Sequence, residues 1–389
     1  MSTDASSVVR WVVEHGGFWS NQIRVGSGRR GRGIFATEPI MPGRLLLSVP
    51  VSLAIPQQPP DNHACRTIAA LRKELELGPQ SFYWPFLLSI QNVTVDIPDA
   101  WSAEERMLLD GLPPGDWRAP SRSYADACVP MGMPPLESDA LTTRALMLFT
   151  SRSGPLGMQP LFDLLNHGHN STTHRVTGGQ HAFYAVRPHR AGEELLNTFR
   201  SGAGVGRALI REMRAAGSEP VATTALFRDY GFFDEPPVKW EFRAPATGEL
   251  HGFVIEALGA DSNPGSDVVL APSGAPLDAL DSGEEADNGT EDVAWARRLA
   301  RDAQEKLDEL RSRAAALAHA IGPYPWSARV QLARDYRAAF ERALEAVVAT
   351  VQRLHGAPAA QGMEACAAGA GAGGTGAPEL DENKKSKKQ

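Results

Sequence analysis

Apolar residues recur along this chain in two regimes. In SVVRWVVEHGGFW, residues 7–19, they fall three and four apart, which predicts a short helix closed by Gly16-Gly17. Residues 22–26 and 32–37 predict short strands around the turn RRGRG. Residues 45–49 and 53–55 predict extended segments bounded by Pro-Gly and by Pro56. From Asn62 the helical spacing takes over. TIAALRKELELG, SFYWPFLLSI, SAEERMLLDG and SDALTTRALMLFTSR all carry it, and Ser102 with Glu105 forms a capping box. Strand signals return in residues 162–165, in HAFYAVRP and in ELLNTF. The pattern predicts a β region split by a helical insertion at about residues 60–148 and then resumed.

After Asp234 the regular pattern fades. Residues 236–292, with the acidic stretch DSGEEADNGTED, are expected to form a loop or linker. Residues 293–355 predict two long helices. The first stripe runs Val293, Ala296, Ala300, Ala303, Leu307, Leu310, Ala314, Leu317 and Ile321 without a miss, and Gly322-Pro323 end it. Ser327 can cap the second, whose stripe from Val330 to Leu354 is interrupted at Arg337. An antiparallel helical hairpin is the natural arrangement, docked on the rest of the chain or self-associating. The tail, residues 356–389, is low-complexity Ala and Gly ending in KKSKKQ and is expected to be disordered.

Composition narrows the classes. The chain has 389 residues, 42% hydrophobic and 22% charged, which is the make-up of a soluble globular protein with room for two or three domains. A net charge of −7 gives no general pull toward nucleic acid. No run approaches the ~18 apolar residues of a membrane span. MSTDASSVVR lacks the basic and apolar regions of a secretory signal. Cys65, Cys128 and Cys366 lie far apart with no CxxC, which argues against a disulfide framework or a cysteine zinc site and fits a reducing compartment. The expected location is the cytoplasm, with no decisive address for nucleus or plastid.

Several short motifs bear chemistry. GAGVG at 202–206 sits between a strand and a helical stretch, the order of a dinucleotide fingerprint, but its GxGxG spacing fits a Gly-rich loop better. NHGHNSTTH supplies His167, His169 and His174 near Asp163, yet the spacing matches no zinc pattern, so no metal is expected. Asn166-His167 instead reads as a strand end that presents polar groups to a ligand. Arg152, in SRSG, is a surface cation at a helix C-terminus or a fork holding a carboxylate in a cleft. RDYGFFDE is an aromatic core edge or an aromatic wall for a planar or cationic ligand.

The order of these motifs says more than any one of them. GRGIFATEPIMPGRLLLSVP, SFYWPFLLSI with LLDGLP, TSRSG, PLFDLLNHG, RAGEELLNTF and DYGFF resemble, in sequence, the SET-domain protein methyltransferases. The branch is that of the Rubisco large-subunit lysine methyltransferase and the actin-histidine methyltransferase. The resemblance covers about residues 8–235, and the helical 293–355 region resembles, more loosely, that branch's substrate-binding lobe. It implies an α+β fold: a SET core of small sheets with a helical insertion, plus an all-α C-terminal lobe. It implies S-adenosylmethionine as cofactor, lined by Gly31, Arg32, Gly33 and Ile34, where the glycines let the backbone come close. Asp163, Leu164, Leu165, Asn166 and His167 would form the strand that threads near the family's pseudoknot. Arg152 would meet the amino-acid end of the cofactor, and Tyr230, Gly231 and Phe232 would complete the pocket. The partner implied is a protein substrate held in the SET groove and on the helical lobe, with the enzyme a monomer.

One position departs from the pattern. The family's catalytic tyrosine falls at Phe199, and Arg200 replaces the glycine after it. Phe keeps an aromatic wall and loses a hydroxyl, and one lost donor is worth ~10²–10³ in rate. GAGVGRALIREMRAAGSEPVATTALF then intervenes before DYGFF, and that segment is expected either to reposition a second hydroxyl, Tyr230 or Tyr184, or to form a surface excursion. Two readings follow: a protein-lysine N-methyltransferase with Phe199 and Tyr230 at the reaction centre, or a weak or inactive SET protein that binds a partner. A nucleotide-binding domain around Gly202 is a third, and it requires a parallel sheet there.

Overall fold

The computed structural model describes residues 3–56, 63–91, 93, 95–154, 156–168, 171–199, 222–233, 238–255, 268–269, 289–321 and 327–355. GAGVG, His169, Gly322-Pro323, residues 200–221 and the Lys-rich tail lie outside the described residues. Helix α1 (Thr3–Glu14) turns at Gly16, φ +90°, into strand β1 (Phe18–Trp19). A hairpin follows, β2 (Ile23–Gly28) with β3 (Gly31–Ala36), then β4 (Leu45–Pro50) and β5 (Ile55–Pro56). The extended run expected at 53–55 is instead a 3-10 turn at Val51–Leu53 before β5.

The helical stretch comprises α2 (His63–Leu77), α3 (Trp84–Ile90), α4 (Ala103–Met107), α5 (Ala119–Ala127) and α6 (Ala140–Arg152). The predicted capping box is formed: Ser102 Oγ accepts from the Glu105 N–H, and Glu105 accepts from the Ser102 N–H. Asp139 caps α6 and also holds Arg72 of α2 at 2.5 Å and Thr142 at 2.8 Å, contacts that pull its carboxyl down to about 2. Cys65 and Cys128 form a disulfide between α2 and the end of α5, contrary to the expectation from their spacing. Distance along the chain was a poor guide, because both cysteines are buried in one core.

Strands then resume as β6 (Gly157–Met158), β7 (Asn166–His167), β8 (Thr172–Thr177), β9 (Gln180–Ala185) and β10 (Glu194–Asn197). They form two small sheets, ordered β1-β4-β9-β8 and β2-β3-β10-β7, plus the β5-β6 pair. Residues 162–164 were expected to be a strand and form a 3-10 turn, entered through Leu161 at φ +68°. The run LFDLL is apolar because Leu161, Leu164 and Leu165 are buried, and a buried turn and a buried strand share that pattern. Ile34, Leu46, Leu47, Leu148, Leu165 and Phe183 are among the residues of this first core.

Helix α7 (Thr223–Tyr230) leads to β11 (Val238–Arg243), β12 (Leu250–Ile255) and β13 (Val268–Val269). These three strands correct the loop expected across 236–292. VKWEFR alternates buried and half-buried positions, the period of a strand with one face on a core. Helices α8 (Gly289–Ile321) and α9 (Ala328–His355) pack on each other, and Ser327 Oγ accepts from the Val330 N–H at 3.2 Å. The hairpin is docked. Its stripe shares a second core with Trp101, Leu109 and Trp117 from the helical stretch and with Trp240, Phe242 and Phe253 from the sheet. Polar ties cross the same seam: Arg329 meets Asp96 at 2.8 Å and Glu105 at 3.0 Å, and the Tyr336 hydroxyl donates to Pro113 O at 2.8 Å.

Candidate functional site

The β2–β3 turn shows why its glycines are glycines. Gly31 has φ +87°, a left-handed conformation costly for other residues. Gly33 is limited by its neighbours: a Cβ there would stand 2.5 Å from Glu194 Oε1 and 2.9 Å from Asn166 Nδ2. Those two side chains are bonded at 2.7 Å, and Asn166 Nδ2 also donates to Arg32 O at 3.0 Å. The hairpin is therefore clamped onto β7 and β10 by one amide.

β7 runs parallel to β10, pairing Asn166 with Leu196 and His167 with Asn197. That register carries Phe199 to His167: the Phe199 N–H donates to His167 Nδ1 at 2.9 Å, and the ring centroids are 5.2 Å apart. Tyr230, at the end of α7, lies 5.0 Å from Phe199 and 6.0 Å from Phe232, and Phe232 lies 5.4 Å from His167. Gly231 makes the turn between them at φ +76°, where a Cβ would strike Asp96 O. Four rings thus close one wall of a cavity of about 1390 Å³.

The same cavity is also lined by polar groups. Asp163 is buried between Arg152 at 3.4 Å and Arg32 at 3.8 Å, and Arg32 also donates to Ser89 O at 2.8 Å. Burial pushes the Asp163 carboxyl up while the two guanidiniums pull against it, and burial lowers Arg152. Arg152 is thus the cleft fork rather than the surface cation. Arg152 Nε, Asp163 Oδ1 and Asn197 Nδ2 are buried with no hydrogen-bond partner among the described residues, and all three side chains line the cavity. Unpaired buried polar atoms are costly, so a wall of them fits a polar, charged ligand.

Of the residues singled out from the sequence, Arg152, Asp163, Asn166, His167, Phe199, Tyr230 and Phe232 line this cavity. Gly31, Arg32 and Gly33 lie in β3 and are not among the lining residues, and Ile34, Leu164 and Leu165 belong to the first core. Sequence reasoning missed Asn197, Ser151, Thr172 and His174 as lining groups. Asn197 lies within the predicted strand ELLNTF and Ser151 at the end of a predicted helix, and their polar type alone did not mark them as inward-facing. His167 and His174 are not gathered with Asp163 as metal ligands among the described residues. Among the described residues, Glu249, His251 and Asp302 form the one group with suitable spacing, away from the cavity. No helix among the described residues is long and apolar enough to cross a membrane.

The SET-domain family model matches residues 31–200, the span from the glycine turn to just past Phe199. The chain carries a SET domain. Outside that span the likeness to solved structures continues. The chain is similar to the SET domain of LSMT bound to lysine and AdoHcy, at 15% identity and TM-score 0.52. It is also similar to Rubisco LSMT bound to sinefungin and monomethyllysine, and to Rubisco LSMT bound to AdoMet, each at 14% identity and TM-score 0.54. Every one of these alignments covers 91% of this chain and 92% of the other. The SET fold with its C-terminal helical region is therefore common to all of them. No curated protein sequence matches the chain.

Proposed function

We propose that the chain is an S-adenosylmethionine-dependent protein N-methyltransferase whose acceptor is a lysine side chain. The observation that carries this reading is the cavity itself: the rings of Phe199, Tyr230, Phe232 and His167 line it together with the side chains of three orphaned polar atoms, within a SET domain. When bound, the cofactor supplies a methyl group on a positively charged sulfur. Aromatic faces attract cations, so the wall suits both that sulfonium and a methylated ammonium. An apolar wall also disfavours the charged form of an amine, which delivers the neutral nucleophile. Arg152, Asp163, Asn166 and His167 hold the cofactor's polar parts, and the hairpin of Gly31, Arg32, Gly33 and Ile34 fixes Asn166. Leu164, Leu165 and Gly231 set the backbone that presents these groups. The helical lobe extends the groove for a protein substrate, and the enzyme acts as a monomer in the cytoplasm.

Phe199 brings no hydroxyl, and within the four-ring wall the hydroxyl belongs to Tyr230. Tyr230 therefore takes the orienting role beside Phe199. The same Phe199 favours a second reading, a SET protein that binds cofactor and partner with little or no transfer. Calorimetric titration with S-adenosylmethionine and S-adenosylhomocysteine tests the site first. Micromolar binding, lost in Asn166→Ala, supports the pocket, and no binding at millimolar cofactor overturns it. Methyl transfer to a lysine-rich protein mixture, abolished in Tyr230→Phe and raised in Phe199→Tyr, supports the enzyme. Binding with no transfer in either form leaves the partner-binding reading.

A further inference from the structure

Behind the cavity a line of three polar side chains runs inward from its wall. Gln159 Oε1 meets His181 Nδ1 at 2.8 Å, and His181 Nε2 meets His174 Nδ1 at 2.8 Å. Gln159 and His181 are fully buried, while His174, on β8, lines the cavity. A carbonyl oxygen only accepts, so His181 Nδ1 carries the hydrogen and its Nε2 accepts from His174 Nδ1–H. The one nitrogen left is His174 Nε2, as a lone pair. The ring is fixed by Phe162, edge-on at 6.2 Å, and by Phe183 at 5.4 Å.

We propose that His174 contacts the substrate: its Nε2 accepts an N–H from the side-chain nitrogen to be methylated, while His181 and Gln159 fix its tautomer from behind. This rests on the methyltransferase reading and adds a group that sets the orientation of the acceptor nitrogen. Burial lowers the affinity of His174 for a proton and holds His181 down to about 4, so both imidazoles are neutral at pH 7. Of the groups on the packed elements, His181 faces His174 from β9. Asp163, beside Phe162, is paired with Arg152, and Arg175 stacks on Tyr184 at 4.4 Å. An imidazole whose conjugate acid lies below 6.5 is a weaker base than an amine near 10.4. His174 therefore accepts a hydrogen bond and does not take the proton.

Long-range proton–nitrogen NMR on histidine-labelled full-length protein reads this directly. The expected result is His174 as the Nδ1–H tautomer, neutral down to below pH 6.5. Saturating S-adenosylhomocysteine followed by free L-lysine then moves the His174 Nε2 signal. His174→Phe should weaken lysine binding about tenfold or more, while His174→Gln, whose carbonyl still accepts, keeps most of it. The Nε2–H tautomer, or an Nε2 signal unmoved by bound lysine, overturns the proposal even where S-adenosylhomocysteine binds. Failure of S-adenosylhomocysteine to bind overturns the methyltransferase reading, and this role of His174 falls with it.

Discussion

In the core that carries the cavity, polar atoms are buried among the apolar ones. Asp163 sits between two guanidiniums, His181 leans on Gln159, and Asn197 Nδ2 has no partner among the described residues. In the core under the helical hairpin, rings stack on rings. Phe227 lies flat on Tyr336 at 4.0 Å and edge-on to Trp101 and Trp117, and Trp240 packs on Phe340. The first core gives up favourable burial to hold charge where a ligand needs it. The second is packed for cohesion, and it reaches the site through α7, which is anchored by Phe227 and ends in Tyr230 three residues later.

That link gives the largest expected effect. Phe227→Ala leaves a cavity among Trp101, Trp117 and Tyr336 and should cost about 4 kcal/mol of stability. If α7 is the strut that places Tyr230, S-adenosylhomocysteine affinity falls as well, by more than in an equally destabilised variant at Leu344. Denaturant unfolding followed by calorimetry at a temperature where both variants are folded checks it. Equal affinities would separate the two regions and remove the strut.

Asp163 comes next. Asp163→Ala leaves two cations facing each other in a buried site and should cost about 3 kcal/mol. Asp163→Leu combined with Arg152→Leu should recover much of that stability, because an apolar pair of similar volume needs no solvation. It should recover none of the cofactor binding. Stability and binding moving together in the double variant would mean that the polar wall serves the fold and not a ligand.

The two regions should also part under acid. The folded value of His181 is lowered from 6.5 to about 4, so below pH 6.5 the unfolded chain binds a proton that the native state resists. Stability therefore falls as pH drops from 6.5 toward 4, with His174 adding in the same direction. Asp139, held at about 2, contributes stability above its ordinary 3.8 that is lost as pH falls from there through 2. All three groups lie on elements of the first core or of the helical stretch packed on it. Hydrogen exchange at pH 7 and pH 5 should show β8 and β9 loosening before α8 and α9.

The same contrast explains what the sequence disclosed. The 3.6 period of α8 and α9 was plain, because one continuous stripe faces one core. The strand period in VKWEFR was equally present, but it was masked by the Gly- and Asp-rich segment that follows. The site was legible where a residue type is forced by backbone, as at Gly31 and Gly231, or repeated in order, as in DLLNH and DYGFF. Asn197, His174 and the Cys65–Cys128 pair were not, because each depends on a register or a helix packing between residues far apart in the chain. Arg152 was readable as a fork or a surface cation, and only the turn at Leu161, which brings Asp163 to it, decides between them.

The smallest effect tests whether the seam between the regions is fixed by more than apolar packing. Ser102 caps α4, and its box partner Glu105 also accepts from Arg329 at the start of α9. Burial pushes the Glu105 carboxyl up, but the bonds from Ser102 and Arg329 outweigh it and leave the carboxyl below its ordinary value. Ser102→Ala removes the hydroxyl that accepts from the Glu105 N–H and should cost about 1 kcal/mol. With the box broken, Glu105 is freer to leave Arg329, so the cost should be larger than in Ser102→Ala on an Arg329→Met background. A double-mutant cycle by denaturant unfolding measures that difference. A coupling near zero would mean that α4 is capped for itself and that the seam is held by Trp101, Tyr336 and their neighbours alone.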